Sequence, residues 1–231
     1  MLELVDGLEK NQILAALKEE ERAYLSPHVK RMRLHARQIL MQPETGERYV
    51  YFPTKGIAST MVIMRDGTGL EIMLTGSEGC VELEAALGVR TLATQTIVHI
   101  AGSALRIPAS IINKVLFADN RFSRVLQGYA QQRFMQVAQL AACNRFHAAE
   151  QRLARWLLTM QDRINSDVFP ITHEILGQAL GTKRSTMSEI ANSMQRDRMI
   201  SYTHGLIRIR DRKLLEKTAC ECYFQIRDYS R

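Results

Sequence analysis

The sequence predicts an α+β chain: a small antiparallel barrel or jelly roll, one long helix, and a helical C-terminal domain that closes on a β-hairpin. Three observations predict it. Short apolar runs broken by turn formers fill residues 28–107. Apolar side chains then recur at three-to-four spacing from about Asn120 to Cys143. Last, two short helical patterns flank Gly181 and are followed by a hairpin pattern.

The first element is helical, from Leu4 and Leu8 through Ile13-Leu14-Ala15-Ala16-Leu17. Strand-like runs follow at Val50-Tyr51-Phe52, Met61-Val62-Ile63-Met64, Ile72-Met73-Leu74, Ile97-Val98 and Ala104-Leu105-Arg106-Ile107. Turn formers separate the earlier ones: Pro53 to Gly56, Asp66-Gly67, and Gly76 to Gly79. Repeated short strands of this kind suit a β-roll. Pro108 to Phe117 reads as a short helix with proline in its first turn.

Between Asn120 and Cys143 there is no proline, and Gly128 is the single glycine. Leu126, Tyr129, Val137 and Leu140 mark a stripe, with Phe122, Phe134 and Ala141 flanking it and Arg133 interrupting it. A helix of this length is either a buried core helix or a seam between two copies of the chain. The seam is the expectation, since the flanking segments are small, made by Phe122, Leu126, Tyr129, Val137 and Leu140.

The C-terminal third is denser in motifs. Leu153, Trp156, Leu157 and Met160 give residues 147–164 one apolar face. Thr172 suits a helix N-cap, and the next helix runs through Ile175, Leu176, Ala179 and Leu180 to a stop at Gly181. A second helix begins near Lys183 and runs through Met187, Ile190, Ala191 and Met194. Two short helices joined by a glycine turn make a helix-turn-helix. Its outer face would show Lys183, Arg184, Ser185, Ser188, Glu189 and Asn192, side chains able to read bases and phosphates. Met199 to Arg210 reads as two strands around His204-Gly205, a wing whose Arg208 and Arg210 could reach phosphates. Asp211 can cap a last helix from Arg212 to Cys222.

Charge agrees with that placement. The net charge is +7. Residues 1–144 hold 16 basic and 14 acidic side chains, whereas residues 145–231 hold 15 and 10, so the excess sits beside the helix-turn-helix. A polyanionic partner, double-stranded DNA, is the expected reading. No run of 18 apolar residues occurs and the first residues lack a basic-then-apolar leader pattern, so a cytoplasmic chain without membrane contact is expected.

The four cysteines, Cys80, Cys143, Cys220 and Cys222, do not form a disulfide framework. The single residue between Cys220 and Cys222 is poor spacing for a closed zinc site, so reduced structural thiols are expected, with redox sensing or metal binding as the alternative. The histidines His28, His35, His99, His147, His173 and His204 are dispersed, and none pairs with another at metal-ligand spacing. No metal ligand and no cofactor is predicted. A G-x-S-x-G elbow, a P-loop and an H-E-x-x-H helix are all missing from the sequence, which points away from an enzyme.

The segment from Phe169-Pro170-Ile171-Thr172-His173-Glu174 to Leu206 resembles the cyclic AMP receptor protein/Fnr (Crp/Fnr) superfamily of transcription regulators. Tyr51-Phe52-Pro53 with Gly56, the long central helix and Glu150-Gln151-Arg152-Leu153-Ala154-Arg155-Trp156 are similar to that family too. The resemblance implies three parts: a cyclic-nucleotide-binding-like β-roll sensor over 1–118, a dimerisation helix and hinge over 119–144, and a winged helix-turn-helix over 145–231. It implies a homodimer on inverted-repeat DNA, with RNA polymerase as a further partner.

The family's recognition helix places polar side chains at positions matching Arg184, Ser185 and Glu189. Arg184 matches the arginine of several members, while Ser185 stands for the familiar Glu and Glu189 for the familiar Arg. A different half-site is therefore expected, with Arg184 on guanine and Glu189 on cytosine N4. Thr172, Thr182, Lys183, Ser188 and Arg208 complete the expected DNA contacts.

The family's effector site departs further. Glu82-Leu83 resembles its Glu-Leu pair, but Val81 replaces the expected glycine. Arg90-Thr91 is the nearby Arg-Thr pair, yet Thr94-Gln95-Thr96 falls at the phosphate position. A cyclic phosphate without its arginine loses a charge-assisted bidentate contact. Glu82, Arg90 and Thr91 are thus weak effector candidates, and the roll is expected to have lost cyclic-nucleotide binding. The alternative is a cyclic-nucleotide-controlled activator. No Cys precedes Cys80, so the Fnr-type N-terminal cysteine cluster is missing.

Overall fold

A computed structural model of the chain describes residues 7–40, 47–88, 94–118 and 120–229. It divides into two compact units, Met1–Thr60 with Thr75–Arg133, and Met61–Leu74 with Phe134–Arg231.

In the first unit, buried Asn11 does the work of a bracket. Its side-chain oxygen accepts from the N–H groups of Ile13 and Leu14 and caps α1 (Gln12–Ala15). Its amide donates to the carbonyls of Pro53 and Gly79 at 2.9 and 2.8 Å. The chain continues through α2 (Glu19–Leu25) and β1 (Lys30–Leu34) to β2 (Tyr49–Ile63) and β3 (Gly69–Thr75). After α3 (Leu83–Ala86) comes β4 (Thr94–Pro108), then α4 (Ala109–Leu116). The sheet order is β1-β4-β2-β3, with β1 antiparallel to β4 from Lys30↔Arg106 to Leu34↔Gly102.

The roll has fewer, longer strands than the sequence predicts. The expected turn at Pro53 to Gly56 lies inside β2, and the runs at Ile97 and Ala104 share β4. Glycine explains the continuity. Gly56 at φ 91° sits against the backbone of Ile100 and Ala101, and Gly102 against that of Lys55, so the two strands meet where any Cβ would collide. The expected first helix is reduced to a 3-10 turn at Leu8–Lys10 and the single turn α1, while Leu4 lies outside the described residues.

The long helix is α5 (Arg121–Phe146), 26 residues and about 39 Å. Its first half belongs to the core of the first unit. Phe122 and Leu126 are fully buried there with Leu14, Leu25, Phe52, Leu105, Ile107 and Ile112. Arg133 pairs with Glu84 at 2.9 Å and donates to the Cys80 carbonyl, which also accepts from the Tyr129 hydroxyl. Burial, against the opposing charge of Arg133, pushes the Tyr129 phenol well above its ordinary range.

In the second unit, α6 (Ala149–Ile164) buries Leu153, Trp156, Leu157 and Met160 as expected, together with Ala154 and Leu158. Trp156 Nε1 donates to Glu71 Oε1 at 2.7 Å, a buried bond to the hairpin that Met61–Leu74 contributes. Strands β5 (Val168–Pro170), β6 (Ile200–Thr203) and β7 (Leu206–Ile209) form a sheet in the order β5-β7-β6. Helices α7 (His173–Ala179) and α8 (Arg184–Arg196) precede the β6–β7 hairpin. The predicted single last helix is two: α9 (Arg212–Thr218), capped by Asp211, and α10 (Cys222–Tyr229). Ala219 turns extended at φ −64°, ψ 147°, and the break lets Cys220 and Cys222 both face inward, fully buried or nearly so.

Candidate nucleic-acid interface

The helix-turn-helix is assembled from local rules. Thr172 caps α7, its hydroxyl accepting from Ile175 N at 3.2 Å. The turn needs Gly181 at φ 58°. It also needs Gly177, since a Cβ there would stand 2.7 Å from the Thr182 carbonyl, which accepts no side chain so close. The Gly177 carbonyl accepts from Thr182 N at 2.8 Å, and Arg152 Nη1 donates to the Leu180 carbonyl at 2.9 Å. Helix α8 then starts with Lys183 as its N-cap residue.

One side of α8 is core and the other is free. Met187, Ala191 and Met194 are buried. Lys183, Arg184, Ser185, Glu189 and Asn192 are exposed, so the sequence-predicted set comes together along one face. Ser188 departs from it. Its hydroxyl donates to the Arg184 carbonyl at 3.1 Å and lies 2.8 Å from His173 Nδ1, so it is spent between α7 and α8. Thr182 is half-buried, its hydroxyl bonded to the Leu180 carbonyl and 3.5 Å from Arg152 Nη2. The positive ends of the backbone N–H groups at the start of α8 and the Lys183 and Arg184 cations favour an anion at that end.

The wing follows as the sequence predicts. Ser201 pairs with Arg208 and Tyr202 with Ile207 across β6 and β7. His204 and Gly205 both take positive φ, 50° and 77°, the pattern of a tight hairpin turn. Ile207 and Ile209 point into the core while Arg208 and Arg210 are exposed. The exposed cations thus sit on two successive elements, α8 and the wing.

Of the expected seam, Phe122 and Leu126 are corrected. Both are 0% exposed within one protomer, because the roll takes up that end of α5. Tyr129 is spent on the Cys80 carbonyl. Val137 and Leu140 are half-buried. The apolar side chains that α5 leaves in solvent are Phe134, 71% exposed, Met135 and Phe146, with Ala138 and Ala141 beside them. Periodicity located the stripe but could not say that the N-terminal half would be absorbed by the protomer's own core.

Of the effector candidates, Arg90 and Thr91 lie outside the described residues. Glu82 is buried, at φ 64°, and its carboxylate accepts from the Thr96 hydroxyl at 2.7 Å. Ribose and phosphate positions of the resemblance are thus bonded to each other. Val81 is fully buried beside Tyr51, Val98 and Ala104.

One constellation was missed from sequence. Cys143, His147, Cys220 and Cys222 place one ligand atom each within 4.8 Å of one another. The sequence signal is Cys143 and His147, one helical turn apart at i and i+4.

Residues 151–218 match the family model described as the Crp-like helix-turn-helix domain. No curated protein sequence matches the chain. Among solved structures, a Crp/Fnr-family transcriptional regulator from Thermus thermophilus superposes with a TM-score of 0.68 at 17% identity, covering 82% of this chain and 98% of that one. FixK2 from Bradyrhizobium japonicum gives 0.71 at 16% identity, covering 83% and 98%. The c-di-GMP-responsive global regulator CLP from Xanthomonas campestris gives 0.63 at 15% identity, covering 80% and 95%. Identities this low establish the shared fold. Among the described residues, no helix is long and apolar enough to cross a membrane.

Proposed function

We propose that this chain, a Crp/Fnr-superfamily protein by its fold and its Crp-like helix-turn-helix domain, acts as a homodimer that reads inverted-repeat DNA and regulates transcription. The observation that carries the reading is the face of α8. Lys183, Arg184, Ser185 and Glu189 are exposed along it, Met187, Ala191 and Met194 are buried behind it, and Arg208 and Arg210 are exposed at the wing. A recognition helix in the major groove needs base-reading side chains at its N-terminal end and cations flanking it for phosphates.

In this reading Arg184 takes a guanine edge and Glu189 a cytosine N4, while Lys183 and Arg208 neutralise phosphates. Residues 1–118 serve as the sensor, 119–144 as dimerisation helix and hinge, and 145–231 as the DNA-binding domain. RNA polymerase is the further partner such a regulator would meet. The second copy is proposed to sit on the Phe134–Ala138–Ala141 face of α5, where exposed apolar side chains recur at helical spacing.

The roll is proposed to have lost cyclic-nucleotide binding. The Glu82–Thr96 bond supports this, because the carboxylate expected to hold a ribose is already satisfied by the residue expected at the phosphate. A regulatory rather than enzymatic role agrees with the regulators that share the fold.

Selection of bound sites from random duplexes, repeated at several salt concentrations, tests the proposal. The expected outcome is an enriched inverted repeat, with affinity falling steeply with salt. Recovery of unenriched sequence, or binding indifferent to salt, would rule the reading out.

A further inference from the structure

Four side chains play no part in that reading and are gathered at one point of the second unit. Cys143 lies near the C-terminal end of α5, and His147 follows one turn later, its N–H donating to the Cys143 carbonyl at 3.1 Å. Cys220 and Cys222 come from the break between α9 and α10. Cys143 Sγ is 3.6 Å from Cys220 Sγ, and Cys222 Sγ is 3.6 Å from His147 Nδ1.

These separations fit one tetrahedral ion. A disulfide would bring two sulfurs to about 2.05 Å. Zinc bonds of about 2.3 Å to sulfur and 2.0–2.1 Å to nitrogen put tetrahedral neighbours about 3.8 Å apart for two sulfurs and about 3.6 Å for sulfur and nitrogen. The four ligand atoms span 4.8 Å at most, which suits a single ion rather than a cubane iron–sulfur cluster with its wider sulfur spacing.

The surroundings are those of a ligand set. His147 Nε2 lies 3.1 Å from Glu221 Oε2, so the carboxylate can hold that N–H and leave the Nδ1 lone pair for a metal. Gln139 Nε2 donates to Cys222 Sγ at 3.1 Å. Arg155 on α6 is 6% exposed, and its Nε has no hydrogen-bond partner among the described residues. One divalent ion with three thiolates carries a net negative charge, which a buried guanidinium offsets.

We propose that Cys143, His147, Cys220 and Cys222 bind one zinc ion through three thiolate sulfurs and His147 Nδ1, fastening the α9–α10 break to the end of α5. All four positions are protein ligands, so the site is closed and structural rather than catalytic. The step is ligand exchange. Each thiol still protonated gives its proton to solvent, the aqua ion releases its waters, and no electron is transferred.

The test uses the full chain, purified under reducing conditions and loaded with zinc or cobalt(II) alone. About one zinc per chain is expected after gel filtration. Cobalt should show thiolate-to-metal charge transfer with the intense ligand-field bands of a tetrahedral site. Cys220→Ser and Cys222→Ser, checked for folding by circular dichroism, should lose the bound ion. Glu221→Gln should keep the stoichiometry and weaken affinity about 10–100-fold. A strong chelator should lower the Tm of the wild type and leave that of the double serine variant unmoved. Wild-type protein that takes up neither ion, cobalt spectra without sulfur charge transfer, a Cys143–Cys220 disulfide under the loading conditions, or iron retained in place of zinc would each overturn the proposal.

Discussion

The Ser188 hydroxyl and the His173 ring, 2.8 Å apart, tie the recognition helix to the helix before it. Ser188 donates to the Arg184 carbonyl, so His173 Nδ1 carries the proton and Nε2 is the bare, buried nitrogen without a partner among the described residues. The ring also stacks on Tyr202, 4.2 Å between centroids and 19° between planes. Burial, then the charge of Arg184, holds the imidazole below its ordinary range.

Protonation of His173 should therefore loosen the C-terminal domain. The folded pKa is lowered, so the unfolded chain binds the proton first. The stability is fully present above the unfolded value, about 6.5, and is lost as pH falls below it toward the folded value. Urea unfolding at pH 7 and pH 5 should show a drop that His173→Gln makes shallower. An equal drop in both proteins would place the titration elsewhere. Ser188→Ala should cost about 1 kcal/mol and leave base preference unchanged.

The two kinds of exposed cation should separate in binding assays. Arg184→Ala should cost about 1–3 kcal/mol and relax preference at one base pair. Lys183→Ala and Arg208→Ala should weaken all duplexes alike and flatten the salt slope by about one unit each. Glu189→Ala should keep or raise non-specific binding and reduce discrimination, since its carboxylate repels phosphates. Competition of a selected site against scrambled DNA reads all four. Full discrimination by Arg184→Ala with loss in Lys183→Ala would mean a different docking register.

Legibility followed locality. Thr172, Gly181, His204-Gly205 and Asp211 act through backbone rules confined to a few residues, and each is found where the sequence puts it. The apolar face of α6 was equally readable from 3.6-residue spacing. What escaped depends on distant partners. Strand continuity through Gly56 needs Ile100 opposite it, Ser188 needs His173 beside it, and the burial of Phe122 and Leu126 needs Leu25 and Ile107 to enclose them. The cysteine–histidine constellation joins positions 77 residues apart, and nothing local at Cys220 announces Cys143.

The α5 surface gives a third prediction. If the proposed homodimer forms through this face, Phe134→Glu should yield monomers without unfolding either unit, because Phe134 is exposed in one protomer. Leu126→Ala should instead destabilise the first unit by about 2–5 kcal/mol, because it opens a cavity in a filled core. Sedimentation and thermal melts distinguish the two. A Phe134→Glu protein that sediments as an unchanged dimer would move the seam off this face.

The Glu82–Thr96 bond gives the last. A buried carboxylate that already accepts a 2.7 Å bond from Thr96 offers a ribose little, since a ligand hydroxyl must first displace that donor. Thr96→Val removes the donor from a buried acceptor and should cost about 1–3 kcal/mol in stability. It should not create affinity for cyclic AMP, because Val81 keeps its bulk where the resemblance expects glycine and Thr94-Gln95-Thr96 falls where it expects the phosphate ligands. Calorimetry should register no binding of cyclic AMP to the wild type at micromolar concentrations. Micromolar binding lost on Arg90→Ala would instead make Arg90 the phosphate ligand and restore the cyclic-nucleotide-controlled activator.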